Sequence, residues 1–166
     1  MVCTIASSGA EFTAGCLNEH EEPLSTIRAA VRNNVWKLCN KGYDVFYSNT
    51  ELGFPLWGGA VVTAINFYNP VELMVAIPFE EQTTKWPEEQ REMYYTVHEK
   101  SADAKIINTR YFDGCYKEAD KYMIDRSDAL LYFGKENDDS FILKYAKENN
   151  KKIFIFNEDN LELDIK

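Results

Sequence analysis

Cysteine and histidine are scarce in this chain, and neither stands in the spacing of a metal site. The cysteines are Cys3, Cys16, Cys39 and Cys115, and the histidines are His20 and His98. No two cysteines form a Cys-x-x-Cys pair, so neither a zinc site nor a disulfide framework is expected. We therefore expect buried or free thiols in a reducing compartment, with no metal and no other cofactor.

Long apolar runs are also missing. No stretch approaches the roughly 18 consecutive apolar residues that cross a membrane. The first residues lack the basic region followed by an apolar one that marks a secretory leader. These absences predict a cytoplasmic protein with no membrane partner.

Clustered positive charge is the third absence. The formal net charge is −9, and no run of lysine and arginine is present. Nucleic-acid binding draws on a clustered cationic surface that releases counterions from the phosphate backbone. Nucleic acid is therefore not expected as the main partner, and any anionic ligand must be held by local contacts.

Short apolar runs alternate along the chain with segments of helical periodicity. Strands are predicted at residues 2–6, 45–47, 73–77, 106–108, 129–133 and 153–156. Helices are predicted at residues 24–41, 56–68, 87–100, 116–124 and 141–146. The 166 residues suffice for one domain, residues 1–166, with a polar tail at 158–166 that is expected to be poorly ordered. This order predicts an α/β fold, Rossmann-like and doubly wound, with a mostly parallel sheet and helices on both faces.

Small and polar residues follow the predicted strands at the points where such a sheet binds ligands. The candidates for ligand contact in the first two turns are Ser7, Ser8, Gly9, Ser48, Asn49, Thr50, Glu51 and Gly53. The hydroxyl and amide groups of the second turn could instead satisfy turn amides. Glu51 could equally be a carboxylate in the first turn of the next helix.

Further candidates follow the third and fifth strands. They are Pro78, Phe79, Gln82, Trp86, Gly134 and Asn137. Phe79 and Trp86 could stack on a base or fill space between helix and sheet. Gln82 offers both a donor and an acceptor beside a strand end, which favours ligand contact.

Several motifs resemble those of one protein family. They are Gly42-Tyr43, Leu52-Gly53 with Leu56-Trp57, Ala76-Ile77-Pro78-Phe79-Glu80-Glu81-Gln82 with Lys85-Trp86-Pro87, Tyr122-Met123-Ile124-Asp125 with Ser127-Asp128, and Tyr145-Ala146-Lys147. Together they resemble the YpsA-like family of the SLOG superfamily, which holds Rossmann-like nucleotide-binding proteins, including phosphoribohydrolases and DprA. The resemblance implies a nucleotide or nucleotide-derived ligand at the carboxyl edge of the sheet, a contact from Asp125, and a homodimer or higher homo-oligomer.

The chain departs from the family pattern where phosphate would be held. Residues 6–10 replace a Thr-Gly-His-Arg-Pro motif, Pro55 replaces an aspartate, and Ala119-Asp120 replaces an Arg-Asn pair. Asn137-Asp138-Asp139 aligns with a Gly-Gly-Thr phosphate cradle. Each carboxylate there would repel a phosphate by about 1 kcal/mol at about 4 Å in water. Either the ligand places its phosphates elsewhere, for example at the helix start of residues 53–57, or the pocket has lost its original ligand.

Three functions are compatible with this sequence. The first is a non-catalytic domain that senses or sequesters a nucleotide-derived signalling molecule lying across residues 7–9, 48–53, 78–82 and 134–138. The second is a nucleoside 5′-monophosphate phosphoribohydrolase, in which Glu51 would be the catalytic carboxylate. The third is a protein-interaction module with a vestigial pocket.

Overall fold

The computed structural model describes residues 1–9 and 22–163, in which six strands and five helices alternate. The strands are β1 (Val2–Ser7), β2 (Val45–Ser48), β3 (Glu72–Ile77), β4 (Asp103–Ile106), β5 (Ala129–Phe133) and β6 (Lys152–Phe156). The helices are α1 (Glu22–Asn40), α2 (Phe54–Ile65), α3 (Glu88–Lys100), α4 (Cys115–Asp125) and α5 (Phe141–Glu148). Cys16 and His20 lie outside the described residues.

The six strands form one sheet in the order β4-β3-β2-β1-β5-β6, and every pair of neighbours is parallel. This confirms the predicted Rossmann-like architecture. The direction of winding reverses between β1 and β5, so their carboxyl ends flank the switch point of the sheet.

Apolar residues on alternate positions of the central strands feed two cores. Along β5, Ala129, Leu131 and Phe133 pack with α1, α2 and α3, whereas Leu130 and Tyr132 pack with α4 and α5. All five residues of β5 are buried, because a central parallel strand is covered on both faces. Helices therefore lie on both faces of the sheet, as predicted.

The fourth strand lies earlier in the chain than its sequence indicates. The apolar pattern predicts it at residues 106–108, but β4 spans Asp103–Ile106 and pairs with β3 in the register Met74↔Asp103 to Ile77↔Ile106. All four of its residues are exposed, since β4 is the edge of the sheet. An edge strand with little apolar burial leaves no clear periodic signal in the sequence.

The end of the chain is fixed to α1 as far as Leu163. The buried side chain of Asn34 donates to the Leu161 carbonyl at 3.0 Å and accepts from the Leu163 amide at 3.1 Å. Leu163 is itself buried in the core. Residues 161 and 163 of the tail are therefore held by specific contacts with α1.

Among the described helices, none combines the length and the apolar character needed to cross a bilayer. Within the same residues, no group of three or more His, Cys, Asp or Glu side chains could hold a metal ion.

Candidate functional site

The sheet brings most of the predicted ligand contacts to one edge. The segments that follow β3, β2, β1 and β5 lie next to one another in that order, because those strands are neighbours and parallel. Asp125 does not join them. It ends α4 just before β5, at the opposite edge of the sheet, where it accepts a hydrogen bond from the Tyr145 hydroxyl at 2.9 Å.

The loop from β2 to α2 is held by its own side chains. Ser48 Oγ donates to the Pro55 carbonyl at 2.8 Å and accepts from the Thr50 amide at 3.0 Å. Asn49 Oδ1 accepts from the Glu51 amide at 2.9 Å. Ser48, Asn49 and Thr50 are buried, whereas Glu51 is exposed. The polar side chains of this turn therefore stabilise the conformation of the loop.

Thr50 is the strained point of the same loop. Its φ of 48° lies in the left-handed region, which non-glycine residues rarely adopt. Its hydroxyl is 3.0 Å from Nε2 of His98 on α3, and that imidazole lies against the Tyr94 ring at a tilt of 35°, with ring centroids 3.8 Å apart. Burial lowers the pKa of His98 to about 4, so the ring is neutral at physiological pH.

The start of α2 offers little to an anion. Gly53 is the N-cap residue, and Pro55 has no amide hydrogen. The Leu56 amide donates to the Glu51 carbonyl at 3.1 Å, and the Trp57 amide donates to the Gly53 carbonyl at 3.0 Å. The Leu56 amide, which could have received a phosphate, is thus bonded within the loop, the Trp57 amide makes an intrahelical bond, and both residues are buried.

Gln82 joins the segment after β3 to the segment after β2. Its side chain is buried, and Nε2 donates to the Asn49 carbonyl at 3.1 Å. Pro78 is also buried, and its carbonyl accepts a hydrogen bond from Asn108 at 3.3 Å. These bonds fix the segment after β3 between its two neighbouring strand ends.

Helix α4 adds two residues to the site, Asp120 and Tyr116, that are not among the candidates from sequence. Asp120 accepts a hydrogen bond from Asn49 Nδ2 at 3.5 Å. Burial, and next the nearby carboxylate of Glu51, raise the pKa of Asp120 to about 8. Tyr116 lies one turn earlier on the same helix face, and burial followed by Glu51 raises the pKa of its phenol. Asp120 and Glu51 are called the carboxylate pair below, and the pKa of about 8 favours the protonated form of Asp120 at neutral pH.

A large cleft in the described part of the chain lies beyond the carboxyl ends of β3 and β4. It has a volume of about 1030 Å³ and is called the β3–β4 cleft below. Its lining residues are Phe79, Glu80, Glu81, Gln82, Thr84, Lys85, Trp86, Thr109, Arg110 and Tyr111. Phe79 contacts the edges of the Tyr111 and Tyr116 rings, with centroids 5.3 and 6.0 Å apart. Phe79 and Tyr111 thus form an aromatic wall of the cleft, beside both charged and neutral polar side chains.

The end of β5 is closed by Asp138. Its Oδ2 accepts from the Lys135 amide at 2.7 Å and from the Tyr132 hydroxyl at 3.3 Å. Gly134 lies so close that a Cβ on it would fall 2.9 Å from Ser8 Oγ and would also meet the Asp138 carboxylate. The carboxylate therefore occupies a niche beside the switch point and is bonded there to a backbone amide.

The neighbours of Asp138 do not share this role. Asp139 is exposed and pairs with Lys144, and Asn137 is exposed as well. Ser140 caps α5 by accepting a hydrogen bond from the Leu143 amide at 3.3 Å. Of the two carboxylates, only that of Asp138 is bonded at the end of β5.

At the end of β1, the Ser8 amide donates to the Phe133 carbonyl at 3.0 Å, and the Gly9 amide donates to Ser7 Oγ at 3.2 Å. Gly9 has a φ of 80°, which favours glycine. These residues lie against the end of β5 and apart from the β3–β4 cleft, whose lining does not include them.

Comparison with known proteins identifies the family. The sequence model for the YspA SLOG family (YpsA) matches residues 10–161. UPF0398 protein BH1768 of Halalkalibacterium halodurans is 26% identical over 144 residues, which are 83% of this chain and 76% of the relative. UPF0398 protein YpsA of Bacillus subtilis is 23% identical over 164 residues, or 93% of this chain and 91% of the relative. A UPF0398 protein of Bacillus cereus strain Q1 is 28% identical over 146 residues, or 84% and 79%. With a family match over most of its length and the Rossmann-like sheet described above, this chain belongs to the YspA SLOG family.

Proposed function

We propose that this protein binds a nucleotide-derived small molecule in the β3–β4 cleft, and that it senses or sequesters this molecule without turning it over. Membership of a SLOG family suggests a nucleotide-related function. The observation that carries the proposal is the cleft itself, which lies beyond parallel strand ends and places aromatic rings beside Gln82.

The aromatic wall suits a nucleobase. Phe79 is partly exposed and Tyr111 is 65% exposed, so both keep ring surface toward the cleft. Ring faces accept stacking from any base, and such contacts are worth about 1–3 kcal/mol per base in single-stranded nucleic-acid complexes. The proposed ligand therefore stacks its base on this wall.

The contacts at the carboxyl end of β5 support the proposal that the protein does not turn over its ligand. Hydrolysis of an N-glycosidic bond requires the ribose to be held in a fixed position, usually through an anchored phosphate. Asp138 fills the niche of the usual phosphate cradle, and the amides of Leu56 and Trp57 at the start of α2 are bonded. A ligand bound in the β3–β4 cleft would lack both of these anchors.

Thermal-shift measurements with nucleoside 5′-monophosphates, NAD and ADP-ribose test the proposal. We expect at least one of them to raise the midpoint of unfolding in a concentration-dependent manner. Tyr111→Ala should remove the effect, whereas Tyr95→Ala should keep it, since Tyr95 is 62% exposed on α3 and does not line the cleft. If no compound stabilises the protein, the hypothesis of an interaction module is favoured instead.

The carboxylate pair favours a second candidate, a nucleoside monophosphate phosphoribohydrolase. Asp120 holds a proton at neutral pH and could deliver it to the leaving base, while the carboxylate of Glu51 could stabilise positive charge on the ribose and accept a proton from the attacking water. Incubation with nucleoside monophosphates would then release free base. Release that is abolished by both Glu51→Gln and Asp120→Asn would overturn the non-catalytic proposal.

A further inference from the structure

We propose that Lys85 and Arg110 bind the phosphoryl group of the ligand. The anion site of this protein then lies beyond the carboxyl ends of β3 and β4, and not beyond the carboxyl end of β5. The inference rests on the proposed function and adds to it the ligand class, a phosphorylated compound, and the residues that recognise it. It is drawn from the distribution of charge along the carboxyl edge of the sheet.

Most charged side chains described along the carboxyl edge of the sheet repel anions. At the ends of β5 and β6, Lys135 shares a cavity of about 180 Å³ with Asp138, Glu158 and Asp159. The single lysine is outnumbered by three carboxylates, one of which already accepts the Lys135 amide. A phosphate placed there would therefore meet a net negative surface.

The end of β2 is no better suited to an anion. Its charged groups are Glu51 and Asp120, and their mutual repulsion contributes to the raised pKa of Asp120. A phosphate beside them would raise the cost of ionising both. The ligand should therefore turn a neutral part, such as the sugar or the base, toward this end.

Among the charged parts of the edge that the structure describes, the β3–β4 cleft is the one where cations are not outnumbered by carboxylates. Lys85 and Arg110 are exposed there, and within the described residues neither forms an ion pair. Glu80 and Glu81 also line the cleft, so its side-chain charges balance in a protein whose net charge is −9. An arginine can engage a phosphate through two parallel hydrogen bonds, which a carboxylate elsewhere in the cleft does not prevent.

The size of the cleft is consistent with such a ligand. Its volume of about 1030 Å³ lies at the upper end of the range of about 300–1,000 Å³ for small-molecule sites. Arg110 directly precedes Tyr111 of the aromatic wall, and Lys85 directly precedes Trp86. A cation thus accompanies an aromatic ring on each of the two segments that line the cleft.

Calorimetric titration with paired probes tests this inference. The four common ribonucleosides and their 5′-monophosphates are titrated into the wild-type protein and into the double variant Lys85→Gln/Arg110→Gln. We expect the wild type to bind at least one monophosphate roughly tenfold or more tightly than its nucleoside, as charge-assisted hydrogen bonds provide. The double variant should lose this preference while its affinity for the nucleoside stays unchanged.

Lys135→Gln is the matched control, because it removes a cation from the other end of the same edge. It should keep the preference for the monophosphate. Loss of the preference in Lys135→Gln but not in the double variant would overturn the inference. Equal wild-type affinities for every nucleoside and monophosphate pair would also overturn it, yet leave the proposed function standing. If no probe binds, both fail.

Discussion

Replacing Asp120 by asparagine should make the protein more stable, and the gain should grow with pH. Between pH 4 and 8 the folded protein keeps a proton on Asp120 that the unfolded chain has already released, because the pKa rises from 3.8 to about 8 on folding. At this residue the unfolded state then binds fewer protons than the native state, so the contribution of Asp120 to stability falls as pH rises through this window. The introduced amide does not titrate, and its oxygen can still accept the hydrogen bond from Asn49.

The size of the effect follows from the pKa. One pKa unit corresponds to about 1.4 kcal/mol, so a rise from 3.8 to about 8 sets an upper limit on the order of 6 kcal/mol. Asp120 keeps partial contact with solvent, which reduces the real cost. We therefore expect a difference on the order of 1–3 kcal/mol at pH 8, shrinking toward zero near pH 4.

Urea denaturation at about pH 4, 5, 6, 7 and 8 measures this difference. Glu51→Gln is the informative companion variant, since it removes the second cause of the raised pKa but leaves the first, burial, in place. The pKa of Asp120 in this variant should be lower than in the wild type but still above 3.8. The pH range over which the contribution of Asp120 to stability falls should therefore be narrower, but still present. Parallel pH profiles of Asp120→Asn and the wild type would show that folding does not raise the pKa of Asp120, and would contradict this reasoning.

Three further outcomes follow from other contacts. His98→Phe should remove a contribution to stability that grows with pH between about 4 and 6.5 and opposes that of Asp120, because the buried imidazole stays neutral in the native state while the unfolded chain takes up a proton; a pH dependence equal to that of the wild type in urea melts would contradict this. Gly134→Ala should cost about 1–3 kcal/mol, since its Cβ would collide with Asp138 and Ser8, and an unaltered melting temperature would count against the closed β5 end. Asn34→Ala should cost about 1–3 kcal/mol by leaving the buried amide of Leu163 unpaired, and hydrogen exchange at that amide should accelerate; continued protection would show another partner.

Much of the fold could be predicted because the central strands are buried on both faces. The apolar runs at β3 and β5 stand out without any alignment, and Ser140 marks the start of α5 as a helix cap. The position of β4 could not be predicted from sequence. This edge strand is exposed and has no apolar pattern of its own, and its position is fixed by its pairing with β3. Local sequence signals therefore identify an element well where burial fixes its composition.

The site could be predicted only in part, for the same physical reason. Turn residues such as Asn49 and the motif containing Gln82 follow predicted strands, so their place at the sheet edge could be inferred. Asp120 lies within a helix and Arg110 in a loop after an edge strand, and nothing in their neighbouring residues indicates the site. Their placement depends on how α4 and β4 pack, which requires tertiary structure. Asp125 is a candidate for ligand contact only through the family resemblance. The topology places it beside the amino end of β5, away from the carboxyl ends of the strands.

The most direct test of the account is to map ligand contacts residue by residue. Backbone amide chemical shifts would be recorded with and without the compound that stabilises the protein most. We predict that the shift changes will concentrate at residues 79–86 and 109–111, with smaller changes at 49–51. Changes confined to residues 134–138, or none with any compound of the panel, would contradict a ligand site in the β3–β4 cleft.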